Sequence, residues 1–380
     1  VSTVDSAVFQ DIRDAVRTFV RDQVVPREQE IEDTDAVPAE IRQRAVDMGL
    51  FGYTIPEQFG GLGLNTYEDA LLTFEFGYTT PAFRSMFSTN NGIAGQVLVN
   101  FGTPEQQREW LPRLVSGTVA CFALTEAEAG SDPSGLTTRA KRDGDEYVIS
   151  GAKRFITNAP LADVFMTFAR STGADGADGI SVFAVPAGTP GLTVGPPDRK
   201  MGQIGAQTSE VFFDNVRVPL TALIGGEEGK GFGAAMRSLV KGRLNIAAVC
   251  VGASERLLEE SIAHAKTNRQ GGTPIGEFQL VQAMLAESKA ELDAGRALVL
   301  AATQRFDSGE DRRIGPSAAK LFCSEMVGRA ADRAVQIHGG LGYMRGVPVE
   351  RFYRDVRLFR IYEGTSEIQK LIIGRALIRE

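Results

Sequence analysis

The sequence predicts a multi-domain α+β chain: an N-terminal α-helical domain over residues 1–118, a middle antiparallel β domain over 119–228 and a C-terminal four-helix bundle over 229–380. Apolar residues recur at helical spacing through the first third. Short apolar runs punctuated by Gly, Pro, Asp and Ser fill the middle, as in a barrel or sandwich. Long periodic stretches rich in alanine and leucine fill the last third, as in a bundle. At 380 residues the chain is too long for one small core and suits two or three.

Taken in order, Val8, Ile12, Val16, Phe19 and Val20 mark a first helix that Pro26 should end. Pro38 to Met48 reads as a second helix, with proline in its first turn. Gly49 to Leu64 is a loop, and Gly60-Gly61-Leu62-Gly63 within it reads as a turn because no strand precedes it. Tyr67 to Phe76 and Ser88 to Phe101 look helical. Thr103 and Gln106 have capping-box spacing, with Pro104 at the first helical position and Pro112 expected to kink or end that helix after Leu111. Strands are expected over Ala120–Leu124, Tyr147–Ile149, Val164–Phe168, Ile180–Val185 and Val211–Phe213, and Asp143-Gly144 is a hairpin signal. Ala234–Lys266, Phe278–Phe306 and Pro316–Ile337 read as long helices. Ser366 and Gln369 have the spacing of a capping box for a last helix, whose buried face should carry Ile368, Leu371, Ile372 and Ala376.

Composition narrows the function classes. Hydrophobic residues at 43% and charged residues at 23% are ordinary for a globular chain. A net charge of −7 argues against a nucleic-acid surface. No apolar run reaches the roughly 18 residues of a membrane span. Val1 to Phe9 is polar and does not read as a signal peptide. Cys121, Cys250 and Cys323 are far apart in apolar surroundings and read as reduced core residues. His264 and His338 are the only histidines, so neither a histidine-rich metal site nor a Ser-His-Asp triad has material. The excess of arginine over lysine hints at a GC-rich bacterial gene, and a cytoplasmic place is expected ahead of a mitochondrial matrix.

Three segments carry chemistry. In Arg360 to Gln369, Glu363 stands between Tyr362 and Gly364 just before a helix. Most loop glutamates are solvated, which is the plain reading of this one. A carboxylate swung into an apolar cavity would instead become a better base at neutral pH. Phe122 to Asp132 leaves a strand into a Gly-Ser turn, where Gly130 permits close approach and Thr125 and Ser131 offer hydroxyls; Phe155-Ile156-Thr157-Asn158 adds an aromatic ring and a second threonine. Strand ends with turns look the same. Gln336 to Tyr343 closes a long helix with glycines that could cap it or meet a phosphate.

The combination is more specific than its parts. Thr125-Glu126 with Gly130-Ser131-Asp132, Phe155 to Asn158, Lys200-Met201-Gly202, Val216 to Pro219, Gly229 to Phe232, Gln336 to Tyr343 and Tyr362 to Ser366 appear in one order. In these pieces the chain resembles the acyl-CoA dehydrogenase family over nearly its whole length. The resemblance implies FAD and an acyl-CoA substrate. It implies α,β-dehydrogenation to the trans-2-enoyl thioester, with Glu363 removing the α-proton and hydride passing to flavin N5. It implies a homodimer or homotetramer sharing FAD across subunits, and an electron-transferring flavoprotein as acceptor. Two other readings of the chain stay open: an acyl-carrier-protein thioester dehydrogenase or acyl-CoA oxidase on the same fold, and a flavin-bearing binding protein without turnover.

Residue by residue, the resemblance implies that Phe122, Leu124, Thr125, Gly130 and Ser131 line the flavin ring, with Phe155, Ile156 and Thr157 against it. Gln336, Gly339 and Gly340 would meet a neighbouring subunit's FAD, joined by Arg269 and Gln279, and Thr365 and Glu367 would meet FAD at the last helix. Ser131, Arg243 and Gly364 would hold the acyl thioester. The chain departs from the family at Phe155, where tryptophan is common, and at Ala127-Glu128, where proline and glycine are usual. It departs again at Asn268, Gly271 and Gly272, where an arginine and a Phe-Gly pair are expected, so that Arg269 stands one residue out of register. Some relatives carry the base just before the position of Arg243, which here is Gly242.

Overall fold

The structure, a computed structural model, describes residues 4–379. The start of the polar N-terminal segment, Val1 to Thr3, and Glu380 lie outside the described residues. The N-terminal part holds α1 (Ser6–Phe19), α2 (Glu28–Thr34), α3 (Ala39–Asp47), α4 (Thr66–Gly77), α5 (Pro81–Ser88), α6 (Ala94–Phe101) and α7 (Pro104–Val115). Phe51, Tyr53, Phe76, Phe83 and Phe87 meet in its core, edge-on except for the tilted pair of Tyr53 with Phe76. Pro26 does not end the first helical run. A π turn (Val20–Val24) and a 3-10 turn (Val25–Arg27) carry the chain through it into α2, because proline in the first turn of a new helical segment lacks only an N–H that would have had no partner. Pro38 is the cap before α3 and not part of its first turn.

The segment expected to be helical from Ser88 turns helical at Pro81, and Thr89–Ile93 form a π turn inside it. Asn90 and Asn91 anchor that widened turn. Asn90 donates to the Thr118 carbonyl at 2.7 Å and accepts from the Ala120 N–H at 2.9 Å, and Asn91 donates to the Leu50 carbonyl at 2.8 Å. Both capping bonds between Thr103 and Gln106 are present in α7. Pro112 does not stop this helix: Leu111 and Leu114 are buried on one face, and the Ser116 N–H returns to the Pro112 carbonyl at 3.1 Å.

The middle part is one seven-stranded sheet: β1 (Ala120–Ala123), β2 (Arg139–Asp143), β3 (Glu146–Thr157), β4 (Val164–Arg170), β5 (Ile180–Pro186), β6 (Leu192–Val194) and β7 (Thr208–Pro219). It is mixed, not purely antiparallel, since β1 runs parallel to β4. The crossover between β1 and β4 contains the β2–β3 hairpin, long enough to bring the chain back in the same direction. The hairpin turns at Gly144, whose φ is 61°. The pairing of β3 with β7 slips between Lys153 and Ile156, so both side chains point inward with Phe155 on the outside.

The C-terminal part holds α8 (Gly231–Thr267), a short hairpin of β8 (Arg269–Gln270) and β9 (Thr273–Pro274), α9 (Gln279–Ser308), α10 (Ile314–His338), α11 (Pro348–Val356) and α12 (Ser366–Arg379). Helices α8, α9, α10 and α12 make the bundle. Helix α8 is its spine, about 55 Å long at the usual rise. Its middle, Gly242 to Ser254, is buried, with α4, α9 and α10 packed along the helix, while β5 meets its first turn at Gly231. Helices α4 and α8 meet backbone to backbone: a Cβ at Gly252 would stand 2.1 Å from the Phe74 carbonyl oxygen, and one at Gly77 2.4 Å from that of Val249. Gly252→Ala is expected to destabilise the fold by about 1–3 kcal/mol or more. An unchanged melting temperature would show that the crossing is looser than described here.

Candidate active site

Glu363 sits in a turn whose geometry is forced from both sides. Its φ of 53° lies in the left-handed region, unusual for a residue with a Cβ and costing on the order of 1–3 kcal/mol. Gly364 follows at φ 90°. The buried Lys320 of α10 donates to the Gly364 carbonyl at 2.8 Å, and the buried Gln369 donates to the same oxygen at 2.9 Å and to the Glu363 carbonyl at 3.3 Å. With these carbonyls held, the N–H groups of Glu363 and Gly364 find no acceptor among the described residues. The expected capping box is therefore absent. Thr365 caps α12, accepting from the Ile368 N–H at 3.3 Å, while Ser366 donates to Glu325 at 2.8 Å. Leu371 is exposed, and the buried face of α12 runs through Ser366, Gln369 and Ala376.

The turn aims the Glu363 carboxylate at the wall of α8. A Cβ on Gly242 would stand 2.0 Å from Glu363 Oε2 and 3.3 Å from Ile93 Cγ2. Oε2 is closed off from water and has no hydrogen-bond partner among the described residues. Burial pushes this carboxyl above the ordinary glutamate range, and Arg84, Lys320 and Arg243 pull it back without cancelling the effect. The plain reading of Glu363 as a solvated loop residue is thereby overturned.

Arg243, next on α8, is buried, and its Nε has no partner. Arg84 of α5 is buried too, with its Nε donating to Asn245 Oδ1 at 2.7 Å. Asn245 lies one turn beyond Gly242 on the same face of α8, which sets the Arg84 guanidinium alongside Glu363. Asn245 Nδ2 in turn reaches Asp69 Oδ1 and Thr73 Oγ1, each at 2.9 Å. The sequence reading had not singled out Arg84 or Lys320. A lysine on the buried face of α10, among Ala319, Leu321 and Cys323, is the signal that could have found the second. Asn90 and Asn91 are spent largely on backbone groups, and Ile93, which closes the same π turn, lies against α8, where a Cβ on Gly242 would stand 3.3 Å from its Cγ2.

The expected flavin-facing residues gather at the ends of β1 and β3. The Arg154 N–H donates to the Thr125 carbonyl at 2.9 Å, which ties the two strand ends together. Phe155, at φ 57°, is 59% exposed. Phe122, Thr125 and Thr157 are half-buried, and the two threonine hydroxyls have no partner among the described residues. Leu124 and Ile156 lie buried behind them. Gly130 and Ser131 stand on the exposed loop beyond, and a Cβ at Gly130 would meet nothing within 4 Å. The exposed Phe155 ring, met by the Arg154 guanidinium at 4.8 Å, stands beside free hydroxyls and the open space at Gly130, which fits a flat polar-edged ring. Asn158 donates to the Ser85 carbonyl at 2.7 Å and to Thr89 Oγ1 at 3.3 Å, and Thr89 opens the π turn that ends at Ile93. That flavin-facing lip is thus tied to the π turn whose last residue, Ile93, faces Gly242 of α8.

Not every expected contact converges on this place. Thr365 and Glu367 lie beside Glu363 at the start of α12. Arg269, Gln279, Gln336, Gly339 and Gly340 lie at the far end of the bundle, exposed at the surface. His264, near the end of α8, stacks on His338 with ring centroids 4.2 Å apart, and 21 residues of α8 separate His264 from Arg243, about 31 Å. One chain does not bring this set to its own Glu363. Arg269 is engaged with the Gly272 carbonyl at 2.8 Å. Among the described residues no cluster of three or more His, Cys, Asp or Glu side chains could hold a metal ion, and no helix is long and apolar enough to cross a membrane.

Comparison with known proteins matches the chain to three domain families: acyl-CoA dehydrogenase N-terminal domain over residues 7–118, middle domain over 121–216 and C-terminal domain over 229–378. A probable acyl-CoA dehydrogenase of Bacillus subtilis, YngJ, is 40% identical over 372 residues, 97% of this chain and 98% of that protein. The caffeyl-CoA reductase–Etf complex subunit CarC of Acetobacterium woodii is 37% identical over 352 residues, 92% and 93% of the two chains. Among solved structures, a glutaryl-CoA dehydrogenase of Mycobacterium smegmatis in complex with FADH2 superposes with a TM-score of 0.92 at 32% identity, covering 99% of this chain and 96% of that one. The prolyl acyl carrier protein oxidase AnaB superposes with a TM-score of 0.93 at 32% identity, covering 98% and 100%.

Proposed function

The chain belongs to the acyl-CoA dehydrogenase family and is an FAD-dependent oxidoreductase of that type, and from this premise we propose that it removes the α- and β-hydrogens of an acyl-CoA thioester with Glu363 as the base. The observation that carries the reading is the Glu363 Oε2: water-excluded, without a partner, and pinned in a strained turn against a glycine. A carboxylate kept this way takes a proton more readily than a solvated one. The N–H of Glu363, without an acceptor among the described residues, would donate to the thioester oxygen as charge develops there, a contact typically worth about 3–4 kcal/mol in the transition state. Arg243 and Ser131, with the backbone at Gly364, hold the acyl thioester. FAD would be held against Phe122, Thr125, Phe155 and Thr157 and would supply the hydride acceptor for the β-hydrogen, at its N5. Anaerobic titration of the purified protein with acyl-CoAs of graded size tests this, and flavin bleaching by at least one of them is expected.

The carrier and the electron acceptor are open to the same assay. The likeness to an acyl carrier protein oxidase and to a subunit of a reductase–Etf complex favours comparing carrier-bound substrate, air and electron-transferring flavoprotein side by side. We take electron-transferring flavoprotein as the partner and the bacterial cytoplasm as the location. A flavin holder without turnover has no use for the strained carboxylate. A homodimer or homotetramer is in keeping with the far-end set, since Gln336, Gly339 and Gly340 are exposed and remote from this chain's own Glu363 and would meet FAD only in a neighbouring subunit. Leu341, Tyr343 and Met344 beside them are 52%, 86% and 59% exposed in the single chain.

Acid dependence follows from the charges. The base works ionised, so kcat/KM is expected to rise with pH through the raised Glu363 value. Arg84 lowers that value. Arg84→Met therefore moves the acid limb to higher pH, and a limb that stays put or moves down removes Arg84 from this role.

A further inference from the structure

We propose that the buried Glu126–Lys153 ion pair is a clasp that fixes the flavin-facing lip before FAD arrives, and so sets how tightly the apoprotein takes FAD. This rests on the flavin site described above, but neither residue belongs to the expected contact set. Glu126 leaves the end of β1 and spends both oxygens. Its Oε2 accepts from the Thr137 N–H at 2.6 Å and the Thr137 hydroxyl at 2.8 Å. Its Oε1 accepts from the Thr138 N–H at 3.0 Å and from Lys153 Nζ at 2.8 Å. Lys153 is wholly buried in β3, and its Nζ also donates to the Leu124 carbonyl at 3.2 Å.

The pair joins three stretches, 124–126, 137–138 and 153–155, of which the first and last also meet through the Arg154 N–H and the Thr125 carbonyl. Each matters to the lip. Leu124 and Thr125 form one side, and the register slip that turns Phe155 outward begins at Lys153 itself. Strain at Phe155 persists only where the surroundings over-determine it. The loop 127–136, with Gly130 and Ser131, is closed at its base by Glu126 meeting Thr137 and Thr138. Isolated burial of a charge is unfavourable, and a buried pair is often replaceable by apolar side chains without loss of stability. A pair retained in this position is better explained by what it places than by stability. Lys153 is drawn below its ordinary value by burial, with Glu126 opposing, so loss of either partner leaves the other charge stranded.

The test uses the full chain with its flavin removed, titrated with FAD while the melting temperature of the apoprotein is followed. Glu126→Gln and Lys153→Met are each expected to weaken FAD binding tenfold or more and to shrink the upward shift in melting temperature that FAD produces. If the single variants do not fold, the charge-free double variant Glu126→Gln/Lys153→Met decides, and its FAD affinity is expected to fall by a similar factor. A folded variant that binds FAD as tightly as the parent overturns the clasp, whatever its melting temperature. Failure of the parent itself to bind FAD overturns the flavin site as well, so the two failures are told apart.

Discussion

Glu363→Gln is expected to give a folded, yellow protein whose flavin is bleached by acyl thioester roughly 10²–10⁴-fold more slowly than in the parent. Glutamine fills the same space, so the packing against Gly242 and the hydrogen bonds that fix the turn all survive. What it loses is the ability to take a proton. The same substitution has a second, opposite consequence for stability. The folded-state pKa of Glu363 is raised, so its ionisation at neutral pH works against the fold, and that penalty grows as pH rises above the unfolded value. A neutral amide removes the penalty. The melting temperature at neutral pH is therefore expected to stay level or rise while turnover collapses. Anaerobic stopped-flow absorbance reads the first effect and a thermal melt the second. Bleaching at the parental rate would falsify the assignment of the base. A collapse of the fold would instead make Glu363 a structural residue.

The division of labour along the chain was legible because each part carries its own period. Helical spacing in the first third, short punctuated runs in the middle and long alanine-rich helices at the end all reappear in the fold. Glu363 was legible as a candidate through the ordered motifs that resemble the acyl-CoA dehydrogenase family, since the turn by itself read as a solvated loop. What surrounds it was not. Lys320 and Gln369 reach the 363–364 turn from a different helix and from within α12, and no local pattern announces a contact 44 residues away. Arg84 reaches the same place through Asn245 on α8, 161 residues distant. The missed cap at Thr365 shows a related limit: Ser366 had the right spacing, but tertiary contact with Glu325 claimed its hydroxyl. The parallel pairing of β1 with β4 was hidden for the same reason, since strand periodicity carries no information about direction.

Gly242→Ala should be nearly as damaging as removal of the base, although it adds one methyl group to a helix and alanine is the better helix former. The new Cβ would stand 2.0 Å from Glu363 Oε2 and 2.9 Å from its Cδ, well inside contact distance. Helix α8 is packed on several sides here and has little freedom to retreat. The carboxylate must swing away, against a turn whose two carbonyls are held by Lys320 and Gln369. A displacement of about 1 Å at a reacting group can lower the rate on the order of 100-fold. The expected signature is a large fall in kcat with the protein folded and FAD retained. The converse experiment moves the base to the opposite wall. In Gly242→Glu/Glu363→Gly the turn keeps a residue suited to positive φ, and a carboxylate rooted on α8 extends into the space that Glu363 vacates. That double variant is expected to bleach its flavin faster than Glu363→Gly alone. If the two proceed at the same rate, the position of the carboxylate in the cavity is not what the reaction requires, and the strained turn at 363 has some other purpose.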